Sequence, residues 1–177
     1  KGKIMNAHRA TSAKFFLNEE VLNILAMIGF DPKAADPYSN LRVSKLVFMT
    51  DADADGFHIS VLLLSMVHKY FPELIERGII YVVEVPEFMA VVKNKPIYAD
   101  SKDEMKQKLE DLKSPKANVF HFKGLGEMES DVLGAVGMNP ATRMIRQITP
   151  ADSPTYNEDF ISIVSGDASS RRTLLGI

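Results

Sequence analysis

The spacing of apolar and polar residues along the chain predicts a series of helices and strands. Between residues 59 and 70, apolar residues recur at the spacing of one helical face, which predicts an amphipathic helix ending near Pro72. The residues of that face are Ile59, Leu62, Leu63, Met66, Val67 and Tyr70. A second helix is predicted from Asn18, a typical N-cap residue, to Gly29, a residue that commonly ends helices.

Short apolar runs predict strands between the helices. Residues 46–49 form a continuous apolar run of the kind found in strands covered on both faces. Further strands are predicted over 79–85, 88–92 and 119–122, with a turn at Asn94-Lys95. Because strands alternate with helices, the pattern predicts an α/β fold whose sheet has a parallel core.

Capping signals predict further helices toward the carboxyl end of the chain. Ser101 and Glu104 fit a capping box, the exchange of hydrogen bonds that starts many helices. Another helix is predicted over 130–136, ending at Gly137, and a last one near 158–164.

An acidic run follows the strand predicted over 46–49. Asp51, Asp53 and Asp55 alternate with alanines and are followed by Gly56. Carboxylates at alternate positions after a strand are expected to project together toward its carboxyl end, where ligands bind in open α/β sheets. Their mutual repulsion favours a bound cation, and an all-oxygen set suits magnesium or calcium rather than zinc. The run is therefore predicted to be a divalent-metal site.

Several other interpretations of the acidic run can be tested on the sequence. The simplest is an acidic surface loop. A calcium-binding EF-hand loop begins in the same way but needs a glutamate at its twelfth position, where this chain has Leu62, so it is excluded. A phosphohydrolase of the haloacid dehalogenase type matches residues 53–56, although Phe57 stands where its motif has a small residue. A non-enzymatic module that holds a structural cation is a further alternative.

Composition narrows the class of protein. The chain has 177 residues, of which 46% are hydrophobic and 25% charged, as in ordinary globular proteins. Its 21 basic and 23 acidic residues give a net charge of −2, which argues against a protein that only coats DNA. The absence of cysteine fits a reducing cytoplasm, and no apolar run is long enough to span a membrane. The abrupt start at Lys1 indicates a piece of a longer protein.

Five short segments of the chain resemble, in order, motifs of a single enzyme family. They are 1–6 (KGKIMN), 49–59 (MTDADADGFHI), 71–78 (FPELIERG), 122–128 (FKGLGEM) and 138–143 (MNPATR). The second resembles the Toprim motif of type IIA DNA topoisomerases, in the B-type subunit of gyrase and its topoisomerase IV counterpart. Phe57, Phe122 and the stretch 86–88 depart from the family pattern. The resemblance favours a bacterial or phage member.

The resemblance implies a fold, a cofactor and a partner. It implies a Toprim domain over 1–122, a Rossmann-like parallel sheet flanked by helices, and a mixed carboxyl-terminal tail over 123–177. In this family a tyrosine on an A-type partner attacks duplex DNA within a heterotetramer, and a separate domain uses ATP. The Mg²⁺ ligands it implies are Asp51, Asp53 and Asp55, the last either directly or through water. The catalytic glutamate is expected upstream of Lys1, so this chain alone is expected not to cut DNA.

The resemblance also implies contact with duplex DNA. The residues expected to bind it are Lys1, Lys3, Asn6, His58 and Lys123. Lysines placed on phosphates give an affinity that depends on salt and tolerates any base sequence. Gly124 beside Lys123 allows close approach of the backbone, and His58 follows the aspartates directly. The alternative for each lysine is a solvated surface charge.

Overall fold

The computed structural model describes residues 2–150, which contain two three-stranded sheets and six α-helices. Lys1 and residues 151–177 lie outside the described residues, and with them the helix predicted near 158–164. The helices are α1 (Ser12–Phe15), α2 (Glu19–Ile28), α3 (Ala54–Tyr70), α4 (Pro72–Glu76), α5 (Lys102–Asp111) and α6 (Ser130–Leu133). The strands are β1 (Leu46–Phe48), β2 (Ile80–Val83), β3 (Phe88–Val92), β4 (Lys95–Ala99), β5 (Val119–His121) and β6 (Ile145–Gln147).

The chain packs into two units. In the described range the first unit comprises residues 2–48, 58–82 and 147–150, and the second comprises 49–57 and 83–146. The division therefore passes through α3, between its first turn and the rest of the helix. The domain boundary predicted at residue 122 was based on the family motifs and not on how the chain packs, so it stays a prediction. No helix in residues 2–150 has the length and apolar character that crossing a membrane requires.

The first unit contains the parallel pair of strands predicted from the apolar runs. Strand β1 pairs with β2 in parallel, with Leu46 beside Ile80 and Phe48 beside Val82. Buried residues of α2, α3 and α4 complete the core of this unit. The predicted α/β class is confirmed.

Local signals predicted α2 more accurately than α3. Helix α2 begins after Asn18, whose side-chain oxygen accepts a hydrogen bond from the Val21 N–H at 3.1 Å, and ends at Gly29 with φ +81°, both as predicted. Helix α3 begins at Ala54, five residues before the apolar pattern starts. It also buries Leu64 and Ser65, which lie off the predicted face, because the core surrounds more of the helix than one face.

The second unit is built on an antiparallel sheet with strand order β4-β3-β5. Successive side chains of β3 point to opposite faces of this sheet. Ala90 is buried in a cluster that includes Met105 of α5, whereas Met89 is buried in a second cluster with Phe122 and Met128. Phe122 and Met128 flank the segment Lys123–Glu127, so both ends of that segment are anchored in the core.

Two boundaries in the second unit differ from prediction. The β3–β4 turn is formed by Lys93 and Asn94, with φ of +51° and +63°, one residue before the predicted turn. Helix α6 ends at Leu133 and continues as a π-helical turn to Met138, because the Asn139 N–H bonds the Gly134 carbonyl.

The predicted capping box of α5 is confirmed. The Ser101 hydroxyl oxygen accepts a hydrogen bond from the Glu104 N–H at 3.2 Å, and the Glu104 carboxylate in turn interacts with the backbone N–H groups of Asp100 and Ser101. The pKa of Glu104 lies below its usual value because Lys108 and the Asp100 N–H both hydrogen-bond its carboxylate.

Candidate metal centre

The acidic run forms a turn that leads into α3. We call residues 51–57 the acidic turn, and all of it lies in the second unit. Asp51 precedes the helix, Asp53 is the residue directly before it, and Asp55 lies in its first turn. All three aspartates are exposed. Negative charge at these positions interacts favourably with the helix dipole, so the carboxylates have a structural role as well.

Asp53 is the N-cap of α3. Its Oδ1 accepts a hydrogen bond from the Gly56 N–H at 2.7 Å, and its carbonyl accepts from the Phe57 N–H at 2.9 Å. Aspartate is among the best residues for this position. The cap fixes one carboxylate oxygen of Asp53 against the helix and leaves the other for a ligand.

Gly56 is required by the close approach of the Asp51 backbone. A Cβ at position 56 would lie 2.1 Å from the Asp51 carbonyl oxygen and 2.8 Å from its nitrogen and carbonyl carbon. No side chain can occupy that space without moving the backbone. The glycine that ends the acidic run therefore lets the first turn of α3 lie directly on the Asp51 peptide.

Asp51 is held by a segment distant in sequence. Its Oδ1 accepts a hydrogen bond from the Leu125 N–H at 2.7 Å. A Cβ on Gly124 would lie 3.1 Å from the same oxygen, which is closer than nearly all real Cβ contacts. We call Lys123–Glu127 the glycine turn; it is closed by a hydrogen bond from the Lys123 N–H to Glu127 at 2.9 Å. The glycine turn therefore packs its backbone on the carboxylate of Asp51.

The contact between the glycine turn and Asp51 was not predicted from the sequence. The glycine turn was assigned to DNA because of Lys123, whereas the structure shows the backbone of Leu125 bonded to an aspartate of the acidic turn. The resemblance gave the only signal, since both segments carry family motifs, but a motif does not state what its backbone touches.

The three carboxylates do not converge as the alternating pattern predicted. Within residues 2–150 no three His, Cys, Asp or Glu side chains are grouped so that they could hold a metal ion. The prediction assumed an extended chain, but the helix begins at Ala54, so Asp53 and Asp55 follow helical geometry. Mg²⁺ nevertheless needs only one or two protein carboxylates, with water and phosphate completing its shell. Asp51 and Asp53, each with one oxygen bonded to a backbone N–H, fit that donor set.

The residues predicted to bind DNA are distributed over both units. Lys3, Asn6 and His58 belong to the first unit and Lys123 to the second, while Lys1 lies outside the described residues. Lys3, His58 and Lys123 are exposed. The Asn6 side-chain oxygen accepts hydrogen bonds from the backbone N–H groups of His8 and Arg9, so it stabilises its own turn. The role of these residues in DNA binding stays a prediction.

Phe57 distinguishes this acidic turn from the family motif. Its side chain is 72% exposed, although large aromatic residues are usually buried. Phe57 therefore adds an exposed apolar surface next to the aspartates.

The chain is similar in sequence to proteins of the topoisomerase family. Residues 114–175 match the family described as DNA gyrase B subunit, carboxyl terminus. Over 99% of its length the chain is 35% identical to the B subunit of DNA gyrase from Archaeoglobus fulgidus. Over 90% of its length it is 37% identical to the B subunit of DNA topoisomerase 4 from Escherichia coli. It spans about a quarter of these relatives, 27% and 25% of their respective lengths.

A solved structure confirms the fold. The chain superposes with a TM-score of 0.75 on the Plasmodium falciparum topoisomerase II DNA-binding, cleavage and re-ligation domain, covering 98% of this chain and 24% of that one. The sequence identity is 23%, so this similarity concerns the fold alone. The sequence similarities, independently of this fold comparison, confirm the resemblance to the B subunits of DNA gyrase and DNA topoisomerase 4.

Proposed function

We propose that this chain, a homologue of part of the gyrase B and topoisomerase IV B subunits, is the Mg²⁺-binding Toprim region of a type II DNA topoisomerase. In this proposal the parent protein acts on duplex DNA in the cytoplasm, with a tyrosine-bearing A-type partner in a heterotetramer, and another of its domains uses ATP. The observation that supports the metal role is that Asp51 and Asp53 are each fixed through one oxygen by a backbone N–H.

The backbone N–H groups orient the two ligands in advance. The Leu125 N–H holds Asp51 and the Gly56 N–H holds Asp53, so neither carboxylate has to be ordered when an ion binds. Asp55, one residue into α3, adds negative charge and is proposed to act through water. A bound Mg²⁺ would stabilise charge on the attacked phosphate and on the leaving oxygen. The exposed lysines Lys3 and Lys123 and His58 are proposed to contact phosphates.

Metal binding can be measured on the chain itself. Mn²⁺, a spectroscopic substitute for Mg²⁺, is titrated into the chain and its binding followed by electron paramagnetic resonance, with Mg²⁺ competition. Asp51→Asn and Asp53→Asn should each weaken Mn²⁺ binding at least about tenfold. Asp103→Asn, which removes an exposed carboxylate from the first turn of α5, is the matched control and should leave binding unchanged. Equal binding by all three variants would contradict the proposed ligands.

Activity requires the parent protein together with its partner. We expect the parent protein, mixed with the tyrosine-bearing partner, ATP and Mg²⁺, to change the supercoiling of plasmid DNA, and Asp51→Ala to abolish this activity. Full activity of that variant would overturn the mechanism. The phosphohydrolase alternative makes the opposite prediction for the isolated chain, which would hydrolyse a simple phosphate ester with Mg²⁺; we expect no hydrolysis.

A further inference from the structure

A lysine-lined pocket lies in the second unit, away in sequence from the acidic turn. It has a volume of about 410 Å³ and is formed by residues 91–93, at the end of β3, and residues 113–117, after α5. We call these residues the lysine pocket. Valine, proline and alanine side chains supply its apolar surface, and its charged residues are Lys93, Lys113 and Lys116.

The three lysines carry uncompensated charge. The pocket lining contains no acidic residue. All three side chains are exposed, and in the part of the chain that the structure describes none forms a salt bridge or a side-chain hydrogen bond. Like charges brought together around one concavity repel one another. An anion in the pocket would remove that repulsion.

Two of the lysines occupy backbone positions that favour other residues. Lys113 has φ +54° and is the residue after the C-cap of α5; its N–H bonds the Glu110 carbonyl, and the Ser114 N–H bonds the Leu109 carbonyl. This is the Schellman arrangement, in which glycine is the usual residue. Lys93 has φ +51° at the first central position of the β3–β4 turn, where asparagine and glycine are preferred. Both lysines are therefore placed against local backbone preference.

Strain at two residues that line one pocket points to a function of their side chains rather than of their backbone. We propose that the lysine pocket binds the phosphodiester backbone of duplex DNA, at a place separate from the acidic turn. The lysine ammonium groups would bind neighbouring phosphates, and the apolar surface would contact deoxyribose. The pocket's chemistry requires only an anion with an apolar part; the choice of DNA rests on the proposed function.

The test uses labelled duplex DNA, the 177-residue chain and EDTA, so that binding through metal does not contribute. Fluorescence anisotropy is measured over a range of salt concentrations for the wild type and for the triple variant Lys93→Asn, Lys113→Gly, Lys116→Gln. We expect affinity to fall at low salt and the dependence of log affinity on log salt to decrease by about 0.9 for each phosphate that the variant no longer binds. The melting temperature should be unchanged or higher, because two strained residues are replaced.

A charge-matched variant separates the pocket from general electrostatics. Lys33→Gln, Lys102→Gln, Lys106→Gln removes the same number of exposed lysines elsewhere. We expect its affinity for DNA to stay close to that of the wild type. Equal weakening by the two triple variants, or no weakening by either, would overturn the proposal. The proposal would also be overturned if a poly-glutamate peptide displaced the labelled DNA as well as unlabelled duplex DNA of equal charge does, because the pocket would then bind acidic protein.

Two separate measurements, DNA binding and Mn²⁺ binding, distinguish failure of the lysine pocket from failure of the proposed metal centre. Asp51→Asn should weaken Mn²⁺ binding at least about tenfold but keep metal-free binding to DNA through the lysine pocket. Loss of DNA binding in the lysine variant, with Mn²⁺ bound as in the wild type, would support the pocket by itself. Wild-type DNA binding in that variant, with Mn²⁺ binding intact, would overturn the pocket and leave the metal centre standing.

Discussion

The acidic turn and the lysine pocket differ in how the residue at each position relates to the local backbone. In the acidic turn, glycine stands where a Cβ has no room, at Gly56 against the Asp51 peptide and at Gly124 against the Asp51 carboxylate. In the lysine pocket, Lys93 and Lys113 stand where the backbone conformation favours glycine or asparagine. In the acidic turn, the lack of a side chain allows the backbone to approach Asp51 closely. In the lysine pocket, charged side chains are present although their backbone conformation is strained.

The difference separates two kinds of constraint on a sequence. At Gly56 and Gly124 the neighbouring atoms decide the residue, so any substitution should weaken the structure or displace Asp51. At Lys113 no neighbour requires a lysine, and replacement should stabilise the fold. A residue whose replacement would stabilise the fold is more informative about function than one that the fold requires.

The largest effect is expected for Gly56→Ala. The new methyl group would overlap the Asp51 carbonyl oxygen, so the backbone must shift, and we expect a loss of more than about 3 kcal/mol in the free energy of unfolding. Urea denaturation followed by circular dichroism measures it. The control is Gly134→Ala, because a Cβ there meets nothing within 4 Å and the residue is helical. Similar stabilities of the two variants would show that the Asp51 backbone does not exclude a side chain at position 56.

Asp53 tests whether structure and metal binding can be separated at one residue. Asparagine caps helices as well as aspartate does, so Asp53→Asn should lose only the favourable interaction of its charge with the helix dipole, less than about 0.5 kcal/mol, while Asp53→Ala should lose about 1 kcal/mol. Both variants should bind Mn²⁺ at least about tenfold more weakly than the wild type. Unfolding of Asp53→Asn, measured by thermal denaturation, would favour instead a module in which the cation is structural.

Prediction from the sequence succeeded where a signal and its consequence are close together in the chain. The limits of α2 follow from Asn18 and Gly29, and both lie next to the helix that they end. The bond between Leu125 and Asp51 joins residues 74 positions apart and depends on how Phe122 and Met128 anchor the glycine turn. No local pattern contains that information, so the motifs were found but their contact was not.

The lysine pocket shows why the remainder of the fold was harder to predict. The turn after β3 was expected at Asn94-Lys95 because asparagine is a typical turn residue and Lys93 is not. The structure places positive φ at Lys93 and Asn94 instead. Prediction from residue preference fails at the positions where a residue is retained against that preference.

A smaller effect is expected at the glycine turn, where Gly124→Ala and Gly126→Ala form a matched pair. A Cβ at position 124 would push on the Asp51 carboxylate, whereas one at 126 meets nothing within 4 Å. Gly124 has φ −166°, which alanine adopts freely, so its effect should come only from displacing Asp51. We expect Gly124→Ala to weaken Mn²⁺ binding about tenfold, as loss of a group that orients a ligand does, and Gly126→Ala to leave it unchanged. Equal affinities would remove the glycine turn from the metal centre.

The smallest effect is the stabilisation expected at Lys113, and its sign decides how the strain is interpreted. Lys113→Gly relieves the positive φ, which costs a non-glycine residue about 1–2 kcal/mol, but glycine also makes the unfolded chain more flexible. The net gain should be about 0.5–1 kcal/mol in the free energy of unfolding. Lys116→Gln removes the same charge without any positive φ and should change stability by less than about 0.5 kcal/mol. If Lys113→Gly were destabilising, the lysine would be serving the fold, and the strain would no longer indicate a binding function for the pocket.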